Sequence, residues 1–154
     1  MARTSGYLLD TNVALIALTN PARLSGRVRK AVLTGPNHLS VVVYWEVLLK
    51  TMKGALDVGE PRMWWLDALD QLAATPLVLR PEHISEVSTL PPLHKDPFDR
   101  ILIAQAIVED LTLLTKDEEI SRYASDRCTP RSTDAALERS EGLCDPAATN
   151  WAAR

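Results

Sequence analysis

The first 124 positions alternate between short apolar runs typical of buried strands and longer runs with helical spacing. Strands are predicted at residues 7–9, 39–43, 77–79 and 111–115. Helices are predicted at residues 11–18, 24–33, 44–53, 62–74, 82–90, 97–108 and 116–123. Because strands and helices alternate along the chain, the pattern predicts an α/β fold with a mainly parallel sheet and helices on both faces.

The last thirty residues have a different composition from the rest of the chain. All eleven valines and all six isoleucines precede residue 125, and the segment that follows also lacks Phe, Met and Tyr. Such a polar segment buries too little apolar surface to offset the entropy of ordering it. The pattern therefore predicts a folded domain over residues 1–124 and an atypical polar tail over residues 125–154, disordered apart from a short helix at 135–141.

The overall charge is mildly acidic, with 17 Lys and Arg against 20 Asp and Glu. This balance argues against a polybasic nucleic-acid binder, although a bound metal ion can supply positive charge locally. No apolar run is long enough to span a membrane, and the N-terminal residues lack a signal-peptide core. With only two cysteines, Cys128 and Cys144, we expect a cytoplasmic protein without a disulfide framework.

Four carboxylates follow predicted strands or open predicted helices. Asp10 directly follows the first strand, Glu46 comes three residues after the second, and Asp117 comes two residues after the fourth. Asp99 lies in the first turn of the helix at 97–108. Because parallel strands end at one edge of a sheet, these acids can converge there. A divalent cation would offset their mutual repulsion, and carboxylate oxygens suit Mg²⁺ or Mn²⁺. Such a cation can activate water against a phosphodiester.

Helix capping is the simpler explanation for several of these acids taken singly. Asp10, Asp96 and Asp117 stand where N-caps stand, and Glu46 alone is consistent with a solvated helix position. However, Glu46 and Asp99 are both embedded in apolar segments, where an unpaired carboxylate is costly. Two such acids together with two at strand ends favour a shared site over four separate roles.

Four segments, LLDTNVAL, VVVYWEVLLK, HKDPFDRILIAQA and LLTKDEEI, resemble those of the PIN-domain ribonucleases, specifically VapC-type toxins of toxin–antitoxin modules. The resemblance covers about residues 7–123. It implies a three-layer α/β/α sandwich, Mg²⁺- or Mn²⁺-dependent cleavage of RNA, and a cognate antitoxin as inhibitor. The metal ligands it implies are Asp10, Glu46, Asp99 and Asp117, with Thr11, Asn12 and Thr115 as small polar residues beside the metal. Asp96 belongs to the same motif, as an N-cap that supports the ligands.

In the mechanism that this resemblance implies, Asp10 and Asp99 hold the principal metal with help from Asp117. Glu46 orients or deprotonates the attacking water, directly or by binding a second ion. Thr115 and Asn12 are expected to hydrogen-bond to the carboxylates or to the phosphate.

Three other classes of protein share parts of this pattern. A phosphatase of the haloacid-dehalogenase type needs a second aspartate two residues after the first, where this chain has Asn12. A signalling receiver domain needs an acidic pair at the end of the first strand; Lys116 is available for its conserved lysine, but the pair is absent. A catalytically silent PIN-like protein that binds RNA or a partner remains an alternative, although all four acids are present.

Several other residues have two interpretations. His94, Lys95 and Arg100 contact RNA phosphate or belong to an ordinary solvated surface, and the same holds for the basic cluster within residues 23–30. Trp64 and Trp65 are adjacent, so they point in different directions on a helix. We expect at least one to pack in the core, and one to serve a homodimer or antitoxin interface.

The tail departs from the family pattern, which usually adds one more aliphatic strand after the last predicted helix. Residues 125–154 contain nothing of that kind. A natural extension and a frameshift near Ala124 both explain this change, and translation of the coding sequence in the other frames distinguishes them.

Overall fold

Four parallel strands form the centre of the fold in a computed structural model, which describes residues 6–92 and 95–116. They are β1 (Tyr7–Leu9), β2 (Asn37–Ser40), β3 (Ala74–Leu77) and β4 (Thr112–Leu114). The strand order is β3-β2-β1-β4, and all pairs are parallel. The predicted α/β fold with a parallel sheet is therefore confirmed. The predicted helix at 116–123, apart from its first residue, and the tail lie outside the described residues.

Six helices connect the strands in pairs. They are α1 (Thr11–Thr19), α2 (Gly26–Thr34), α3 (Val41–Met52), α4 (Pro61–Gln71), α5 (Pro81–Val87) and α6 (Pro97–Val108), with a 3₁₀ turn at Pro21–Arg23. The chain moves outward from β1 to β3 and then returns to the other side of β1. Right-handed crossovers that run in opposite directions place their helices on opposite faces of the sheet. None of the helices in the described part of the chain is long and apolar enough to cross a membrane.

The second strand ends earlier, and α3 begins earlier, than the sequence predicts. The predicted strand at 39–43 is wrong in its second half, because Val41 already opens α3. The hydroxyl of Ser40 accepts a hydrogen bond from the backbone N–H of Val42 at 3.0 Å and so caps the helix. Val42 and Val43 are buried in the core from this helix. Glu46 consequently lies in the second turn of α3, not in the first.

The third strand also begins earlier than predicted, at Ala74 instead of residue 77. The helix before it stops at Gln71, and Ala73 adopts a positive φ of 46°, which turns the chain directly into the strand. Pro76 lies within β3, a position that proline tolerates because β3 is at the edge of the sheet. The helix α6, by contrast, has the predicted bounds, and Asp96 caps it by accepting from the N–H of Phe98 at 2.9 Å.

A buried polar network joins β2 to the helices of the last crossover. The hydroxyl of Ser40 donates to Oε1 of Gln105 at 2.5 Å, and Nε2 of Gln105 donates to the carbonyl oxygen of Val78 at 3.3 Å. The same Nε2 lies 3.4 Å from Nδ1 of His83. Ser40, His83 and Gln105 are fully buried. Because polar groups buried without partners are costly, these contacts specify how α6 packs against β2.

The hydrogen bonds of His83 define its tautomer. Its Nδ1 accepts from the backbone N–H of Arg80 at 3.0 Å, so the proton is on Nε2. That Nε2 lies 2.8 Å from a carboxylate oxygen of Glu109, to which it donates. The same oxygen accepts from the Arg80 guanidinium. His83 thus acts as a buried link between the start of α5 and the end of α6.

Replacing Gln105 with leucine should destabilise the fold. The Gln105→Leu variant leaves the Ser40 hydroxyl without its acceptor and the Val78 carbonyl without its donor, which should cost about 1–3 kcal/mol. Gln71→Leu is the matched control, because Gln71 is exposed at the end of α4 and should change stability by less than about 0.5 kcal/mol. Urea denaturation measures both. Equal stability of the two variants would contradict the importance of this network.

Candidate active site

Asp10 lies where β1 and β4 end side by side. Its backbone N–H donates to the carbonyl oxygen of Leu114 at 3.1 Å, and only 4% of the residue is exposed. Its Oδ1 accepts from the N–H of Val13 at 2.6 Å, so the predicted capping of α1 is confirmed. A carboxylate has two oxygens with several lone pairs, so capping through one of them does not exclude metal binding.

Glu46 reaches the same edge of the sheet from α3. Its Oε2 accepts a short hydrogen bond from the hydroxyl of Thr11, the residue that follows Asp10. Its Oε1 lies 2.7 Å from the ammonium group of Lys50, one helical turn further along α3. Glu46 is buried, with 9% exposure. Each of its two carboxylate oxygens has a donor, which offsets the cost of burying the charge. The structure thus brings the Glu46 carboxylate to the residue next to Asp10.

Asp99 lies in the first turn of α6, close to α3. The rings of Trp45 and Phe98 meet edge to face, with centroids 5.0 Å apart. Because Trp45 precedes Glu46 and Phe98 precedes Asp99, this contact places the start of α6 beside the second turn of α3. Asp99 is half-buried there.

The polar residues expected to support the metal ligands differ in how close they lie to the end of β1 and in how buried they are. Thr115 directly follows Leu114, whose carbonyl accepts the N–H of Asp10, so Thr115 lies at the same sheet edge. Thr11 is buried and contacts Glu46. Asn12, by contrast, is exposed in the first turn of α1, and Asp96 is exposed at the N-cap of α6.

Asp117 and His94 lie outside the described residues. Within residues 6–92 and 95–116, no three His, Cys, Asp or Glu side chains form a group that could hold a metal ion. Asp10 and Glu46 are both buried, and Glu46 contacts the hydroxyl of Thr11, the residue that follows Asp10. This all-oxygen donor set fits the chemistry of Mg²⁺ or Mn²⁺ and lacks the thiolate or imidazole ligands typical of zinc.

Arg100 has a structural role that the sequence did not suggest. Its guanidinium donates to the backbone carbonyls of Pro91, Leu90 and Val87 at 3.0, 3.2 and 3.3 Å. It therefore satisfies carbonyl groups at and beyond the C-terminal end of α5. The sequence indicated neither these carbonyl contacts nor the half-buried position of the side chain.

Lys50 and Gln105 were also missed by the sequence analysis. The spacing of four residues between Glu46 and Lys50 on a helix is a signal that could have identified this ion pair. Gln105 is the only polar residue in the apolar run ILIAQAIV, and that isolation is the one clue to its buried contacts.

The three described tryptophans differ from one another in how much of each side chain is exposed. Trp64 and Trp65 are both partly buried against the core, and Trp65 stacks on Tyr44 with ring centroids 5.2 Å apart. Core packing is thereby confirmed for both residues. Among the tryptophans in the described part of the chain, Trp45 is the most exposed, at 50%, and it lies beside the candidate site.

Comparisons with known proteins agree with this arrangement. The sequence model of the PIN domain matches residues 7–126. A solved structure of VapBC2 from Rickettsia felis, bound to a DNA fragment from their promoter, is similar in fold, with a TM-score of 0.54 and 17% sequence identity. The match covers 76% of this chain and 92% of that one. No curated protein sequence gives a significant match.

Two substitutions of Asp10 separate its capping role from its charge. Both Asp10→Asn and Asp10→Ala remove the carboxylate, but asparagine retains an oxygen that can accept from the N–H of Val13. The alanine variant should therefore be less stable than the asparagine variant by about 1 kcal/mol. Urea denaturation in EDTA measures the difference without any contribution from metal binding. If the two variants have equal stability, the cap contributes nothing.

Proposed function

The chain belongs to the PIN-domain family, and we propose that it is a metal-dependent ribonuclease, the toxin of a toxin–antitoxin pair. The observation that carries the proposal is the hydrogen bond between buried Glu46 and Thr11, the residue that follows buried Asp10 at the carboxyl edge of the sheet. Asp10 ends β1 there, and Glu46 is joined to the next residue, Thr11, by a hydrogen bond. Ligand and catalytic sites of parallel α/β folds lie at this edge.

The residues proposed to hold Mg²⁺ or Mn²⁺ are Asp10, Glu46, Asp99 and Asp117. When bound, the cation would lower the pKa of a water molecule and offset the charge of a phosphodiester. Their supporting residues are Thr11, Asn12, Asp96 and Thr115. Among these, Asp96 begins the helix that carries Asp99, and Thr115 lies beside Asp10 at the end of β4.

Glu46 is the residue proposed to orient the attacking water and to accept its proton. Thr11 and Lys50 each donate to one of its two carboxylate oxygens, so the side chain is restrained on both sides. Restraint of a general base before substrate binds reduces the entropy lost on reaching the reactive geometry. Thr11 therefore acts as a positioning residue for Glu46.

The partners in this proposal are RNA as substrate, an antitoxin protein as inhibitor, and a second copy of the chain in a homodimer. The similarity in fold to a VapBC2 structure supports the antitoxin, and the four motif segments support the toxin assignment. We propose a cytoplasmic location, because the chain has only two cysteines, too few for a disulfide framework.

Metal-dependent RNA cleavage tests the proposal directly. Wild-type protein should cleave single-stranded RNA in the presence of Mn²⁺ or Mg²⁺, and EDTA should abolish this cleavage. Asp10→Asn and Asp99→Asn should each reduce the rate by at least about 100-fold, because each removes a charged ligand. Asp67→Asn, at an exposed position of α4, is the control and should retain full activity. RNA binding without cleavage by the wild type would favour a catalytically silent PIN-like protein.

A pair of substitutions at Thr11 tests how Glu46 is positioned. Thr11→Val removes the hydroxyl that donates to Glu46 and preserves side-chain shape, so the cleavage rate should fall by about 10- to 100-fold. Thr11→Ser retains the hydroxyl and should stay near the wild-type rate. The two rates are compared at saturating metal and RNA. Equal activity of both variants would show that this hydrogen bond does not serve catalysis.

A further inference from the structure

An open cleft of about 440 Å³ adjoins the candidate active site, with Glu46 among its lining residues. One part of its lining is apolar and consists of Leu49, Pro97 and Phe98. The other part carries the ammonium groups of Lys50, Lys53 and Lys95. The cleft therefore combines an apolar surface with a cationic one directly beside a proposed catalytic carboxylate.

Helical spacing and the following loop bring the three lysines together. Lys50 follows Glu46 by four residues on the same face of α3, and Lys53, seven residues after Glu46, caps the C-terminal end of that helix. Lys95 reaches the cleft from the segment that precedes α6. Lys50 is paired with Glu46. Lys53 and Lys95 are exposed and form no ion pair with any carboxylate in the described part of the chain, so both can bind an added anion.

One further acid, Asp96, lines the cleft. Its Oδ1 accepts from the N–H of Phe98 at 2.9 Å and so caps α6. Three ammonium groups thus face two carboxylates, those of Glu46 and Asp96. This local excess of positive charge contrasts with the net charge of −3 for the whole chain.

The aromatic residues beside the lysines complete the chemistry of the cleft. Phe98 is part of the lining, and its ring contacts Trp45, which is half exposed. An exposed tryptophan is costly unless it contacts a ligand, and every nucleobase has a face that stacks on such a ring. Lysines beside an aromatic surface are the usual means by which proteins bind single-stranded nucleic acid.

We propose that this cleft is a nucleotide-binding subsite of the proposed ribonuclease. Lys53 and Lys95 each bind a backbone phosphate of single-stranded RNA, and an adjacent base lies against Phe98 and Trp45. The strand must be single because a base can stack on protein only after it leaves its own stack. The inference rests on the proposed function, and it accounts for RNA binding by an acidic chain.

Fluorescence anisotropy in EDTA measures RNA binding without cleavage. The double variant Lys53→Ala/Lys95→Ala should bind a short labelled single-stranded RNA about tenfold more weakly than wild type. The negative slope of log affinity against log salt should also become shallower by roughly 1.4, which corresponds to two lost phosphate contacts on a single strand. The control Arg62→Ala removes a positive charge from an exposed position of α4, outside the lining of the cleft, and should change neither quantity.

The contribution of the aromatic surface is measured separately. Trp45→Ala should weaken binding of the single-stranded RNA about tenfold and leave the salt slope unchanged, because stacking releases no counterions. An RNA with abasic sites should bind wild type and Trp45→Ala equally. A difference that persists with abasic RNA would indicate a folding defect and would overturn the stacking assignment.

Equal losses of RNA affinity in the cleft variant and the α4 control, or no loss in either, would overturn the subsite. Binding of polyglutamate as tightly as RNA would also overturn it, because an acidic protein segment would then be the better occupant. These outcomes are separable from failure of the proposed function. Cleavage by wild type with no effect of the lysines on RNA binding rejects the subsite alone. Undiminished cleavage by Asp10→Asn and Asp99→Asn rejects the proposed active site, whereas weaker RNA binding by the lysine variant in EDTA would still support the cleft as an RNA-binding surface.

Discussion

The hydrogen bond from Thr11 to Glu46 connects the two parts of the molecule on which the candidate site depends. Thr11 opens the helix α1, which follows the interior strand β1. Glu46 belongs to α3, which follows the neighbouring strand β2. A buried carboxylate requires a partner, and this contact provides one where the strands end. The requirement to satisfy Glu46 therefore also determines where α3 lies relative to Asp10.

The sequence predicted the elements best where local signals agree with tertiary packing. Asp96 followed by Pro97 is a strong signal for a helix start, and the predicted bounds of α6 are confirmed. The run LSVVV was misread because β-branched residues favour strands, yet Ser40 caps a helix that buries the valines. A short apolar run cannot by itself distinguish a buried strand from the start of a buried helix.

The sequence could predict that Asp10 follows the end of a strand, but it could not predict contacts between residues far apart along the chain. The positions of Asp10 and Glu46 follow from where strands end, which is a property of local sequence and of parallel topology. The contact between Ser40 and Gln105 joins residues 65 positions apart, and no periodicity relates them. Likewise, the three carbonyl groups that Arg100 contacts are arranged by the turn after α5, which the sequence marks only with two prolines.

Pro76 in β3 has a consequence for how the protein behaves at high concentration. This strand forms one edge of the sheet, and Pro76 is exposed on it. Proline has no backbone N–H, and its ring hinders another strand from pairing alongside. The outer side of β3 is thus a poor template for edge-to-edge association. At high concentration, the edge at β3 should therefore recruit few further chains, and strand-by-strand growth of the sheet from that side is disfavoured.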